Sequence, residues 1–506
     1  MLASVATFAL EGIESREVTV EVDLRRGLPV FTIVGLPDRA VREARERVRA
    51  ALLNSGLEFP LQRLTANLAP ANVRKAGPSF DLALAVAVLA ASDQLPREEV
   101  ARYAVSGELS LSGTLRSAFG AVAVAAGAQR AGYERLVVPV EDAPEAALID
   151  GIEVLGVDSL ERLVALVRGE WCPEPAEPAR SPARSFDDGP DLADVRGQAD
   201  ARRALEIAAA GGHNLLMVGP PGVGKTMLAR RVPGVLPPPT HGEAVEITQV
   251  LSVAGLGNGR LASRRPFRAP HHTISASGLV GGGNYPRPGE ITLAHRGVLF
   301  LDELAEFSRS ALEALRQPLE HGHVEVMRGQ RTLRFPAGAM LVGACNGCPC
   351  ARADGECTCN EVDRARYHRR LSGPLLDRID IVANLTRDRL APVGAAEPGP
   401  EGSAAVRERV IEARALQLER LEGTGAVCNA EMDARLTTRQ IRLGAELRDR
   451  LDAAACAGAL TARGHDRVLR LARTIADLDG AAGVGADHLD EALSYRLGTR
   501  TAVAAA

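Results

Sequence analysis

Asn214-Leu-Leu-Met-Val218 runs straight into Gly219-Pro220-Pro221-Gly222-Val223-Gly224-Lys225-Thr226, and Met227-Leu-Ala-Arg-Arg follows. An apolar strand-like run, a glycine-rich turn closed by Lys-Thr and a helix-forming segment make up a phosphate loop. The glycines let backbone N–H groups turn inward around phosphate oxygens, and the helix start adds partial positive charge. Lys225 is placed to reach the β- and γ-phosphates, and Thr226 to offer its hydroxyl to Mg²⁺. The chain has sixty basic residues, of which only Lys75 and Lys225 are lysine. One of the two stands where a phosphate loop requires a lysine.

A second element follows about 75 residues later. Gly297-Val-Leu-Phe-Leu-Asp302-Glu303 is a buried-strand run ending in two carboxylates. Behind a phosphate loop, Asp302 is expected to hold Mg²⁺ through water and Glu303 to polarise an attacking water. The implied cofactors are ATP and Mg²⁺.

The surrounding 506 residues are 46% hydrophobic and 25% charged, with net charge −4. That is the balance of a globular protein. No window holds the ~18 uninterrupted apolar residues of a membrane helix, and the first residues lack the basic start of a secretory signal. A cytoplasmic protein with no membrane association is expected. Residues 251–380 carry 17 arginines against 13 acidic residues, a basic middle that suits a phosphate-rich partner.

Two stretches rich in proline and small residues, 172–191 and 391–403, read as linkers. They divide the chain into blocks 1–171, 192–390 and 404–506. The first alternates strand patterns (18–22, 30–34, 103–111, 135–140, 152–157) with helical ones (38–54, 81–92), so it is α/β. The last reads as helices, for example 405–422, 438–456 and 463–478.

Five of eight cysteines lie between Cys345 and Cys359. Cys348 and Cys350 face Cys357 and Cys359 across six residues containing Gly and Asp, so four thiolates can surround a structural Zn²⁺. A reduced loop without metal is the competing reading. Between the two nucleotide motifs and this cluster, His323-Val-Glu-Val-Met-Arg328-Gly-Gln-Arg331-Thr-Leu-Arg-Phe335 alternates around a turn and reads as a β-hairpin with a basic tip.

Arg265-Pro-Phe-Arg-Ala-Pro-His271-His272-Thr, Gly281-Gly-Gly, Pro288-Gly-Glu-Ile-Thr-Leu-Ala-His295 and Leu315-Arg-Gln-Pro-Leu-Glu320 resemble the magnesium-chelatase-like AAA+ ATPases. Residues 27–54 and 371–381 resemble the YifB/ComM branch of that family, over nearly the whole chain. The resemblance implies an AAA+ domain over 192–390 and an all-α C-terminal lid over 404–506. It assigns Asn346 as the sensor that orients the lytic water, Arg378 as an arginine finger entering a neighbouring subunit's site, and Arg463 as a sensor on the lid. Asp194-Val-Arg-Gly-Gln198 falls where the family begins its adenine pocket. An arginine acting in trans requires a ring, so a homo-hexamer is implied. In related rings the hairpin points into the pore, where Arg328 and Arg331 would grip a DNA backbone without reading bases.

Gly77-Pro-Ser79-Phe-Asp81 and Gly107-Glu-Leu-Ser-Leu-Ser-Gly113 are similar to the Lon proteolytic domain, which has a ribosomal S5-like fold. Lon pairs its serine with a lysine. Here Ser79 stands at the serine position, the lysine position falls on Val122, and no lysine follows Lys75 in the block. Arginine does not release its proton near neutral pH and cannot replace it. The block is expected to be proteolytically inactive and to serve as a collar or a surface for a protein partner. A DNA motor of the branch-migration type is the leading expectation. The ATPase subunit of a magnesium chelatase and a chaperone-like unfoldase are the alternatives.

Overall fold

The computed structural model of the chain describes every residue except 74, 179–188, 284–286, 329–330, 351, 353–356, 372, 387–399, 457–459 and 505–506. Contacts divide the chain into two units. One holds Met1–Pro182 together with Thr240–Ser263 and Met327–Arg334; the other holds Ala183–Pro239, Arg264–Val326 and Phe335–Ala506.

The first unit is built on strands Leu2–Glu11 (β1), Glu14–Arg25 (β2), Val30–Val34 (β3), Arg63–Ala69 (β4), Tyr103–Val105 (β5), Arg135–Pro139 (β8) and Glu153–Val157 (β9); Glu108–Leu109 (β6) and Leu115–Arg116 (β7) form a small separate hairpin. The seven-stranded order is β3-β4-β2-β1-β5-β8-β9. Val18, Val20, Val22 and Leu24 are buried while their neighbours along β2 are more exposed, the two-residue period of a sheet with one covered face. Helix Asp81–Ala91 packs on β1 and β2, and all eleven of its residues are buried, which accounts for its uninterrupted apolar sequence. Its one charge, Asp81, receives Arg47 Nε at 2.6 Å and Nη2 at 2.9 Å from helix Arg39–Asn54.

The segment 240–263 lies inside the 192–390 block by sequence but folds with the first unit. Its helix His241–Val253 opens on a capping box between Thr240 and Glu243 and packs against helix Ala121–Arg130; Gln249 Nε2 donates to Ile13 O at 2.8 Å.

The second unit carries a five-stranded parallel sheet. Its strands are Leu215–Val218 (β10), Phe267–Arg268 (β11), Val298–Leu301 (β14), Met340–Cys345 (β17) and Ile381–Asn384 (β18), in the order β11-β14-β17-β10-β18. Gly281–Gly282 (β12) pairs with Arg287–Pro288 (β13), and His323–Arg328 (β15) with Arg331–Pro336 (β16). The central strands are buried along their whole length, as expected for a parallel sheet covered on both faces.

After residue 402 the described elements are helical: Ser403–Arg420, Ala434–Gln440, Ala445–Cys456, Ala462–Leu478 and Ala486–Ala504, with one short 3₁₀ turn. The single helix expected over 438–456 is two, separated at Ile441–Gly444. Val406, Val410, Leu451, Val468 and Leu471 belong to the same core as Leu215, Met217, Val298 and Phe300. The helical block therefore packs directly on the five-stranded parallel sheet. Among the described residues, no helix is long and apolar enough to cross a membrane.

Candidate nucleotide site

In a parallel sheet all strands end at one edge, and loops leaving that edge converge. Here β17 lies between β10 and β14, so Val218, Cys345 and Leu301 deliver their following loops to one place. Gly219 leaves β10 where only hydrogen fits, because a Cβ there would meet Leu385 O at 2.4 Å. Gly222 and Gly224 take φ of 79° and 98°, left-handed values that suit glycine. The loop closes into the short helix Lys225–Ala229.

Lys225 Nζ donates to Gly219 O at 2.6 Å, to Pro220 O at 2.9 Å and to Asn346 Oδ1 at 3.0 Å. Thr226 Oγ1 donates to Asp302 Oδ2 at 2.9 Å. The structure thus brings together Lys225, Thr226, Asp302 and Asn346 from three strand ends. Burial lowers the Lys225 ammonium below its ordinary value, against the opposing pull of Cys345, Asp302 and Glu303. Cys345 stays within β17, and burial pushes its thiol up to about 12. Thr226 and Asp302 present adjacent hard oxygens, the donor type Mg²⁺ takes. The donor set fits an ATP·Mg²⁺ complex, in which Thr226 and Asp302 would hold the metal and Lys225 the phosphates.

Glu303 follows in a left-handed conformation, φ 52°, with a side chain 57% exposed. Its Oε2 lies 3.5 Å from His272 Nδ1, and the His272 ring stands 4.1 Å from that of His271. Chemical reasoning on the sequence did not single out His272. The only signal was its place in Arg265–Thr273, because a histidine between two motifs has no spacing rule that assigns it.

Arg378 is buried rather than projecting. It donates Nε to Arg316 O at 2.9 Å and Nη1 to Pro374 O at 2.7 Å, and it pairs with Glu320. Arg463, 61% exposed, pairs with the other oxygen of Glu320 at 2.8 Å. Burial opposes the charge on Glu320, but Arg378, with Arg463, holds its carboxyl below the usual range. The two arginines therefore meet at a shared carboxylate within the chain. Asp194 accepts from Arg231 at 2.6 Å, and Gln198, φ 55°, donates to Thr386 O at 2.6 Å.

The remaining candidates lie elsewhere. The sulfurs of Cys348, Cys350, Cys357 and Cys359 all fall within 4.8 Å of one another. Ser79 sits in the 3₁₀ turn Pro78–Phe80, and Val122 is fully buried in helix Ala121–Arg130. Lys75 is buried, its Nζ donating to Pro70 O at 2.5 Å. The hairpin is present as β15 and β16, but its turn Gly329-Gln330 and the Arg328 and Arg331 side chains lie outside the described residues.

Three family models match the chain: magnesium chelatase, subunit ChlI, over residues 191–391; subunit ChlI of Mg-chelatase over 20–142; and the ChlI C-terminal model over 400–496. An uncharacterised Mycobacterium tuberculosis protein is 45% identical over 492 residues, covering 96% of this chain and 97% of its own length. The uncharacterised protein YifB of Escherichia coli is 42% identical over 501 residues, 98% of this chain and 97% of YifB. Competence protein ComM of Haemophilus influenzae is 42% identical over 507 residues, with the same two coverages. The chain belongs to the YifB/ComM family of magnesium-chelatase-like proteins. As a member of the YifB/ComM family it is an AAA+ ATPase that works with ATP and Mg²⁺.

Proposed function

We propose that this chain is a cytoplasmic, ring-forming AAA+ motor, a homo-hexamer that acts on DNA in the manner of a branch-migration helicase. The observation that carries the ATPase half is the convergence of Lys225, Thr226, Asp302 and Asn346 at one sheet edge. In this reading Lys225 holds the β- and γ-phosphates and Thr226 with Asp302 holds Mg²⁺. Glu303 polarises the water that Asn346 helps orient. Arg378 acts as an arginine finger on the neighbouring subunit's nucleotide, Arg463 is a sensor on the lid, and the helices after 402 serve as that lid.

DNA is favoured by the likeness to a competence protein and by the two arginines flanking the hairpin turn. Residues 327–333 contain no aromatic side chain, whereas a pore that pulls polypeptide displays aromatic and apolar groups. The N-terminal unit is read as a Lon-like module without peptidase chemistry, since apolar, buried Val122 stands where a base is required, and as a surface for a protein partner.

The second reading, an ATPase subunit of a chelatase-type complex, is favoured by the ChlI models along the chain. ATP hydrolysis measured with branched DNA, with a porphyrin and with an unfolded protein separates them. Stimulation by branched DNA alone is expected; stimulation by porphyrin or unfolded protein alone overturns the DNA assignment.

A further inference from the structure

Two residues beyond Asn346, the chain enters a loop that returns through Cys348, Cys350, Cys357 and Cys359. Cys348 Sγ lies 3.3 Å from Cys350 Sγ and 3.5 Å from Cys357 Sγ, and Cys350 and Cys357 are 3.6 Å apart. These separations are far beyond the ~2.05 Å of a disulfide. A Zn–S distance of about 2.3 Å puts the corners of a tetrahedron about 3.8 Å apart, close to what the three sulfurs show. The fourth sulfur, Cys359, falls within the same 4.8 Å sphere of mutual distances. A cluster of several irons and sulfides would hold its thiolates farther apart, so the spacing suits a single ion.

The Arg364 guanidinium lies close enough to the cluster to interact electrostatically with Cys348, Cys357 and Cys359. Four thiolates on a divalent ion leave two negative charges, which the Arg364 guanidinium partly offsets. Outer partners of this kind orient metal ligands. Arg364 lies on helix Glu361–His368, whose buried Tyr367 stands near Cys345 and Cys348.

We infer that Cys348, Cys350, Cys357 and Cys359 form a structural Zn²⁺ site that ties the segment after Asn346 to helix Glu361–His368. All four positions are filled by protein sulfur, so the ion is closed to substrate and acts by fixing the backbone. The sensor asparagine then stands on a segment held at both ends, by β17 before it and by the metal loop after it. The clamp on Asn346 rests on the ATPase reading; the ion itself does not.

The test uses the full chain purified without chelator. Elemental analysis is expected to find about one zinc per chain, and titration with a mercurial to release it as about four thiols react. Mass spectrometry of the unfolded protein should find those cysteines reduced. A protein that is metal-free, iron-bound or disulfide-linked at these positions overturns the site. Cys350→Ser with Cys357→Ser should lose the zinc, whereas Cys172→Ser with Cys456→Ser, two exposed cysteines elsewhere, should keep it. Should the first double variant fail to fold, mercurial release from the natural sequence still decides. Zinc-depleted protein should bind a fluorescent ATP analogue within about twofold of the loaded protein and hydrolyse ATP at least tenfold more slowly; unchanged hydrolysis with zinc confirmed would overturn the clamp and leave the ion standing.

Discussion

His272 Nδ1 stands 3.5 Å from Glu303 Oε2, so the glutamate expected to activate water is paired with a histidine from the loop after β11. The contact explains how an exposed carboxylate at the end of a buried strand keeps a preferred direction. Glu303 has a left-handed backbone, and its N–H donates to Asp302 Oδ1 at 3.0 Å. The proposed roles of the two neighbouring acids, metal holding and water activation, are therefore separable.

The separation predicts three distinct phenotypes. Lys225→Ala should lose nucleotide binding. Glu303→Gln should bind ATP and fail to hydrolyse it. His272→Ala should retain KM while kcat falls about tenfold, equivalent to about 1.4 kcal/mol of transition-state stabilisation. Equilibrium binding and steady-state hydrolysis on the three variants check this. Near-natural turnover in both Lys225→Ala and Glu303→Gln would sink the site.

Arg378 is held by Glu320 and two backbone carbonyls, a preformed mount rather than a loose arm. If it serves the neighbouring site, Arg378→Ala should lower turnover by about 10³-fold or more with ATP affinity intact. Mixing it with Lys225→Ala subunits should restore part of the activity, at interfaces that pair an intact arginine with an intact phosphate loop. No recovery on mixing would show that the arginine acts within its own chain.

Asp380 should make the second unit acid-sensitive. Burial opposes its charge, but Arg467, with His213 and Arg470, outweighs burial and holds the carboxyl far below its ordinary range. A group whose pKa falls on folding stabilises the fold above its unfolded value of about 3.9 and loses that contribution as pH drops below it. Unfolding followed from pH 7 to 3 should therefore steepen below about pH 4. Asp380→Asn leaves Arg467 buried without its partner and should cost about 3–5 kcal/mol at neutral pH, measured by denaturant titration. A variant with unchanged midpoint would remove the ion pair from any account of stability.

The hairpin carries the DNA assignment. Arg328→Ala with Arg331→Ala should weaken DNA binding and shallow its salt dependence. Each lost phosphate contact removes up to ~0.9 from the log–log slope on duplex and ~0.7 on single strands. Basal hydrolysis should persist, because neither residue belongs to the nucleotide site. Unchanged affinity and slope across a salt series would leave the DNA reading resting on family likeness.

Much of this protein was legible residue by residue. The phosphate loop needs particular residues at fixed spacing, so Gly219 to Thr226 declare it without a structure. The alternation of Val18, Val20, Val22 and Leu24 declares a half-buried strand, and the paired cysteines between 348 and 359 declare a cluster because short loops keep their ends close. These are local signals, and local physics suffices to read them. What joins distant residues had no such signal. Sheet order brings Asn346 to Lys225 across 121 positions, and strand order follows from packing the whole sheet rather than from any one strand. Helix His241–Val253 looked like part of its neighbours in sequence, yet packing placed its apolar residues in the first unit. Glu320 became the meeting point of Arg378 and Arg463 for the same reason: in a chain with fifty-eight arginines, only tertiary structure selects which ones share a carboxylate.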